Sequence, residues 1–313
     1  MTTQSPAIFL MGPTASGKTD LALKLIERLP CEIISVDSVM IYRDMDIGTA
    51  KPDEEFLQKA PHRLINICNP SQSYSAAKFA EDALQQMYEI QQQGKIPLLV
   101  GGTFLYFRAL EQGLSPLPAA DVAIREKLEQ QAQKIGWPAM HTKLQQVDPV
   151  AAERIHPNDP QRIQRALEVY ELAGRPMSEL FNQQHVTKIP FQVSKLILIL
   201  SDRSALHDRI AVRFQKMLDE GFVSEVESLY QRGDLHTDLP AIRAVGYRQI
   251  WDYLDGKSSY DEMVEKGIIA TRQYAKRQMT WLRSEQNGHH IDAFDGKLLD
   301  KVLKCLAQDG IHQ

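Results

Sequence analysis

Gly12-Pro13-Thr14-Ala15-Ser16-Gly17-Lys18-Thr19 satisfies GxxxxGK(S/T) at every required position, and residues of those types at that spacing handle phosphate. The glycines let backbone N–H groups turn inward onto an anion, Lys18 adds a full positive charge, and the Thr19 hydroxyl can hold Mg2+. Further polar groups stand where short apolar runs end. Asp37 closes Glu32-Ile33-Ile34-Ser35-Val36 and is followed by Ser38, and Gly101-Gly102-Thr103 closes Ile96-Pro97-Leu98-Leu99-Val100. A carboxylate can take a proton, a glycine pair admits a ligand close to the backbone, and a hydroxyl orients it. A helix cap or a plain turn is the blander account of each; their place at strand ends near a phosphate loop favours a site role. The loop alone does not say whether its phosphates belong to ATP, GTP or another diphosphate.

For these groups to meet, the apolar runs must be neighbouring strands. Ala7-Ile8-Phe9-Leu10-Met11, directly before the loop, reads as a buried strand, and Asp20–Leu29 after it has helical spacing. Ligands of a parallel sheet gather outside the carboxyl ends of its strands, which would bring Asp37 and Thr103 to the loop. Met40 to Ile67 is irregular, and His62 within it receives no role. Ser75 to Gln93 reads as an amphipathic helix with Ala76, Phe79, Ala83, Met87 and Ile90 on its core face, stopped by Gly94. Leu114-Ser115-Pro116-Leu117-Pro118 breaks this rhythm, and from Asp121 to about Gln184 only helical patterns follow. Lys195–Leu200 then returns as a strand, His289–Ala293 reads as a last edge strand, and the tail from Gly296 reads as a surface helix. The expected fold class is α/β: a P-loop type parallel sheet flanked by helices, with an all-helical insertion. The expected core is discontinuous, 1–118 and 192–313, around an insertion at 119–191.

The 313 residues suffice for about two domains or one large domain with an insertion, and 43% hydrophobic with 24% charged residues describes an ordinary globular chain. A net charge of −4 excludes a protein that is basic throughout, so any nucleic-acid surface must be a local patch. Cys31, Cys68 and Cys305 lie far apart, which suggests neither a zinc site nor a disulfide framework. With no signal-peptide pattern at the start and no bilayer-length apolar run, the expectation is a cytoplasmic protein without membrane contact.

Basic groups are indeed clustered. Arg209, Arg213 and Lys216 share a helix face within Ser204–Tyr230; one of them could reach phosphates, and a solvated face explains the spacing equally well. Arg243-Ala244-Val245-Gly246-Tyr247-Arg248, and Arg272 to Arg283 with Tyr274 and Trp281, mix cations with aromatics and contain no acid. That mixture suits RNA, whose unstacked bases pack on rings while its phosphates pair with Lys and Arg. Arg154 to Arg165 also offers groups for a phosphate backbone, although alone it reads as surface charge with helix caps. Three chemistries remain open on the residues: a small-molecule or nucleotide kinase, a non-catalytic RNA-binding ATPase, and a transferase in which the diphosphate leaves. In the last, Lys18, Thr19 with Mg2+ and an arginine such as Arg213 stabilise departing pyrophosphate while Asp37 takes the nucleophile's proton.

The phosphate loop, Asp37-Ser38, Met45-Asp46-Ile47-Gly48-Thr49-Ala50-Lys51-Pro52, Gly101-Gly102-Thr103, His156-Pro157-Asn158-Asp159, Arg243–Arg248 and Lys276–Arg283 form an ordered set. From about residue 7 to 285 that set resembles the bacterial tRNA dimethylallyltransferases. The resemblance implies transfer of a dimethylallyl group from dimethylallyl diphosphate to N6 of the adenosine just 3′ of the anticodon. It implies that Gly12, Pro13, Thr14, Ala15, Ser16, Gly17, Lys18 and Thr19 hold the diphosphate rather than ATP, with Mg2+ at Thr19, and that Thr103 and Arg213 assist them. It makes Asp37 the base at N6. It places tRNA contacts at Asp37-Ser38-Val39-Met40, Thr103, Arg125 and Gln161-Arg162-Ile163-Gln164-Arg165. The same holds for Arg243-Ala244-Val245-Gly246-Tyr247-Arg248 and Lys276-Arg277-Gln278-Met279-Thr280-Trp281-Leu282-Arg283. The helical insertion would grip the anticodon arm, the protein would act as a monomer, and the tail after residue 286 receives no role.

Overall fold

The computed structural model describes residues 4–113, 117–118, 120–182 and 189–312. Positions 114–116 of the expected break, position 119 at the expected start of the insertion, and positions 183 and 184 at the end of the helical block lie outside the described residues. The chain runs β1 (Ser5–Met11), α1 (Lys18–Ile26), β2 (Cys31–Val36), α2 (Glu54–Lys59), β3 (His62–Arg63), α3 (Ala76–Gln92), β4 (Ile96–Gly101) and α4 (Phe104–Gln112). Helices α5 (Val122–Ile135), α6 (Trp137–Val147), α7 (Pro149–Arg154), α8 (Pro160–Ala173) and α9 (Met177–Asn182) follow without a strand. The chain then continues with β5 (Phe191–Ile199), α10 (Arg203–Asp219), α11 (Phe222–Tyr230), α12 (Tyr247–Leu254), α13 (Tyr260–Ser284), β6 (His289–Asp292) and α14 (Leu298–Gln308).

The strands form one six-stranded sheet in the order β3-β2-β4-β1-β5-β6, every pair parallel. A parallel sheet must be covered on both faces, which is why its strands are apolar without alternation. Along β1, Ala7, Phe9 and Met11 point into a cluster with Phe79, Met87 and Phe107 of α3 and α4. Ile8 and Leu10 point into another with Leu21 and Leu25 of α1 and Val302 and Leu306 of α14. Of the core face expected for α3, Phe79, Ala83, Met87 and Ile90, spaced three or four apart, are buried behind a Ser75 cap, and Ala76 in the first turn is half-buried.

Two local expectations are corrected. The stretch from Met40 to Ile67, read as irregular, contains α2 and the short edge strand β3, which pairs Ile33 with His62. A two-residue strand leaves no periodic signal to read. Ser204–Tyr230 is two helices rather than one, interrupted at Gly221 with φ 101°, a conformation closed to most side chains.

The chain divides into two compact units, Met1–Leu110 with Ile189–Gln313, and Glu111–Lys188. The first holds the sheet; its helices α10 to α13 enclose a further cluster around Phe214, Phe222, Tyr247 and Met263. The second is helical and packs around Leu128, Met140, Leu144 and Ile163. Among the described residues no helix is long and apolar enough to cross a membrane.

Candidate active site

The parallel order puts the loops after β1, β2 and β4 side by side, and they line a cavity of about 600 Å³. Residues Thr14 to Thr19, Asp37 to Met40, Gly101 and Gly102 contribute to its wall, as do Arg213 of α10 and Tyr274, Arg277 and Gln278 of α13. Lys18, the first residue of α1, folds its Nζ back onto the Pro13 carbonyl oxygen at 2.6 Å, with Ser16 Oγ at 3.5 Å. Enclosure by the protein pushes Lys18 down to about 7, the Arg213 charge pushes the same way, and Asp37 opposes both. Arg213 is itself lowered by burial, against the pull of Asp37. A polyanion between Lys18 and Arg213 relieves their mutual repulsion and favours the charged lysine, which is the electrostatic character of a diphosphate site.

Asp37 stands one residue past β2. Its Oδ1 accepts from the Val39 and Met40 N–H groups at 2.8 and 3.2 Å, closing the turn that begins the next loop. Among the described residues no hydrogen bond occupies its Oδ2. Thr103 is anchored to the same turn: its Oγ1 accepts from the Ser38 N–H at 3.1 Å, and the Tyr274 hydroxyl lies against it. Burial pushes Tyr274 up to about 12, with the Asp37 charge acting the same way.

Sequence reading assigned nothing to Glu225 of α11, yet its carboxylate accepts from the Asp46, Ile47 and Gly48 N–H groups at 2.8, 2.7 and 3.1 Å. The Tyr247 hydroxyl donates to it as well, at 2.5 Å. Glu225 therefore ties the Asp46–Lys51 loop to the Arg243–Arg248 segment, and both border the cavity. A lone acid in a helix carries no sequence signal for this; only the folded loop presents three N–H groups to it.

The residues implied as RNA contacts are dispersed. Arg243, Ala244, Val245, Tyr247 and Arg277 line the cavity, whereas Arg248, Lys276, Thr280, Trp281 and Arg283 are exposed outside it. Tyr247 and Leu282 are fully buried, Gly246 is buried at the start of α12 and Met279 is half-buried in the core. Arg125 and Arg165 both bond Glu168, at 2.8 and 2.7 Å, while Ile163 is core; Gln161 and Arg162 are exposed, and Gln164 donates to the Arg125 carbonyl oxygen. Gly12 and Pro13 are buried beneath the loop rather than in its wall.

A family model described as IPP transferase matches residues 40–285. The chain belongs to the IPP transferase family. It is 36% identical to the tRNA isopentenylpyrophosphate transferase of Bacillus halodurans, over 98% of both chains, with a TM-score of 0.69. It is 30% identical to the tRNA delta(2)-isopentenylpyrophosphate transferase of Staphylococcus epidermidis over 97% of this chain and 99% of that one, TM-score 0.70. A eukaryotic dimethylallyltransferase described as acting on tRNA superposes with a TM-score of 0.79 at 27% identity, over 98% of this chain and 78% of that one. As an IPP transferase the chain is a tRNA-prenylating enzyme, which sets aside the kinase and ATPase readings of its phosphate loop.

The donor set of this IPP transferase also bears on a metal. Among the described residues no three His, Cys, Asp or Glu side chains cluster as ligands. The Thr19 hydroxyl, exposed at the start of α1 on the cavity wall, is a hard oxygen donor. One or two protein oxygens completed by substrate phosphates and water is the arrangement Mg2+ prefers, so the residues fit that ion and not a dedicated protein cage.

Proposed function

We propose that the chain transfers a dimethylallyl group from dimethylallyl diphosphate to N6 of the adenosine immediately 3′ of the anticodon in tRNA, acting as a monomer. One observation carries this reading: a single cavity is walled by a phosphate loop, by two mutually repelling cations, Lys18 and Arg213, and by a carboxylate, Asp37. The Ala15 to Thr19 backbone, Lys18 and Arg213 bind the diphosphate and stabilise it as it leaves. The Thr19 hydroxyl would hold Mg2+, which would supply further charge neutralisation to the diphosphate. N6 attacks the first carbon of the allyl group, the carbon–oxygen bond breaks with its electron pair leaving on diphosphate, and Asp37 accepts the N6 proton. Thr103 and Tyr274 hold the Ser38 turn that presents Asp37. The adenine must leave its stack, at a cost of a few kcal/mol that is smaller in a loop than in a duplex. The exposed cations Lys276, Arg283, Arg243 and Arg248 receive the tRNA.

The test is incubation of the chain with unmodified tRNA, labelled dimethylallyl diphosphate and Mg2+. Label in the tRNA, undiminished by ATP, is expected. Release of phosphate from ATP with no labelled tRNA would overturn the reading.

A further inference from the structure

Gln278 belongs to the Lys276–Arg283 segment whose pattern suggests RNA, but its surroundings point elsewhere. It is 5% exposed, while Lys276, Arg277, Thr280 and Arg283 around it face solvent. Its side chain spans two loops. Oε1 accepts from the Thr14 N–H at 2.9 Å, and Nε2 donates to the Gly102 carbonyl oxygen at 2.9 Å. A carboxamide is needed for this, because one end must accept and the other donate; glutamate lacks the donor and an apolar isostere lacks both. Gly102 is shaped to the same contact, since a Cβ there would stand 2.3 Å from Gln278 Nε2. The Gly12 N–H donates to the Gly101 carbonyl oxygen at 3.3 Å alongside, so the two loops are joined twice. The Gln278 bond also removes the Thr14 N–H from those that an anion can use.

We infer that Gln278 is a positioning residue of the diphosphate cradle and not an RNA contact: through Thr14 and Gly102 it braces the phosphate loop against the Gly102-Thr103 turn. This rests on the transfer reading above. It deepens that reading by giving α13 two jobs on two faces, a buried amide for the cradle and exposed cations for the polyanion outside.

Gln278→Met and Gln278→Glu separate the two roles by steady-state kinetics of prenyl transfer. Met loses both hydrogen bonds and Glu only the one to Gly102, so the KM for dimethylallyl diphosphate should rise by about tenfold or more in Gln278→Met and by less in Gln278→Glu, with the KM for tRNA within about twofold of wild type in both. A raised KM for tRNA with an unchanged KM for dimethylallyl diphosphate, or no change in either, overturns the inference. Pyrophosphate titrated calorimetrically into wild type and variants reads the cradle without any transfer. If wild type transfers nothing but the variants still bind pyrophosphate more weakly, the transfer reading fails and the clamp stands. Should the Gln278 variants fold poorly, Gly102→Ala supplies the second route, because its methyl displaces the amide. Its pyrophosphate-binding defect should shrink on a Gln278→Ala background, where the clash is gone, and strictly additive defects would overturn the inference.

Discussion

Lys18, Arg213 and Asp37 form one electrostatic unit, because each alters the charge the others feel. Replacing Asp37 by Asn keeps the size and the acceptor for the Val39 and Met40 N–H groups but removes the proton acceptor. Removing a positioned general base costs about 10²- to 10⁴-fold in rate, so Asp37→Asn should lower kcat by that order while the Kd for tRNA, measured by filter binding, stays near wild type. A large loss of tRNA affinity with intact kcat would remove the base assignment. Arg213→Met should instead act on the diphosphate. It relieves the repulsion on Lys18 yet deletes a half-buried cation of the cavity wall, and the KM for dimethylallyl diphosphate is expected to rise more than the KM for tRNA.

At the scale of elements, two carboxylates, half-buried Glu225 and buried Glu168, hold pieces that strand and helix formation alone would leave loose. Glu225 pins the Asp46–Gly48 turn to α11 and to Tyr247. Glu225→Ala leaves three N–H groups and a buried hydroxyl without that partner, at about 1–3 kcal/mol for each group that water cannot reach. A lower midpoint in urea together with a reduced kcat/KM is expected, and an unchanged midpoint would mean that the turn holds itself. Within the helical unit, Glu168 is wholly buried between Arg125, Arg165 and the Asp121 N–H. Burial acts to raise its carboxyl, but the bonds from Arg125 and Arg165 overcome that and hold it below its ordinary 4.5. A depressed carboxyl stabilises the fold above 4.5 and loses that contribution as pH falls through the lower, folded value. Calorimetric melting of wild type should therefore drop on acidification below about 4.5 more steeply than melting of Glu168→Gln, which should be less stable at pH 7 by ~3 kcal/mol.

For the molecule as a whole, a net charge of −4 conceals a local basic surface. Arg243, Arg248, Lys276 and Arg283 are exposed, and no salt bridge ties them among the described residues. Their charge is thus available to phosphates, and binding to tRNA should weaken steeply with salt as counterions cease to be released. Arg283→Ala or Arg248→Ala should each lower the slope of log Kd against log salt by about one, with the KM for dimethylallyl diphosphate unmoved. A slope identical to wild type would place the RNA elsewhere.

The phosphate loop, the strands that flank it and the parallel α/β class follow from contiguous residues: a glycine pattern, short apolar runs and helical spacing. Asp37 and Thr103 are legible in the same way, since a polar group one or two residues past a buried strand emerges at the sheet edge where ligands collect. The folded chain alone brings distant side chains together at the candidate site. Gln278 meets Thr14 across 264 positions and Glu225 meets Ile47 across 178, and no local pattern encodes such a meeting. It also separated groups of one sequence type by their surroundings. Arg213 is directed into the cavity, whereas Arg209, four residues before it, lies 4.5 Å over the Phe294 ring. Gln278 is buried between loops while Lys276 and Arg277 beside it face water. Periodicity assigns a residue to a helix face, but the chemistry of that residue depends on what the rest of the chain packs against the face.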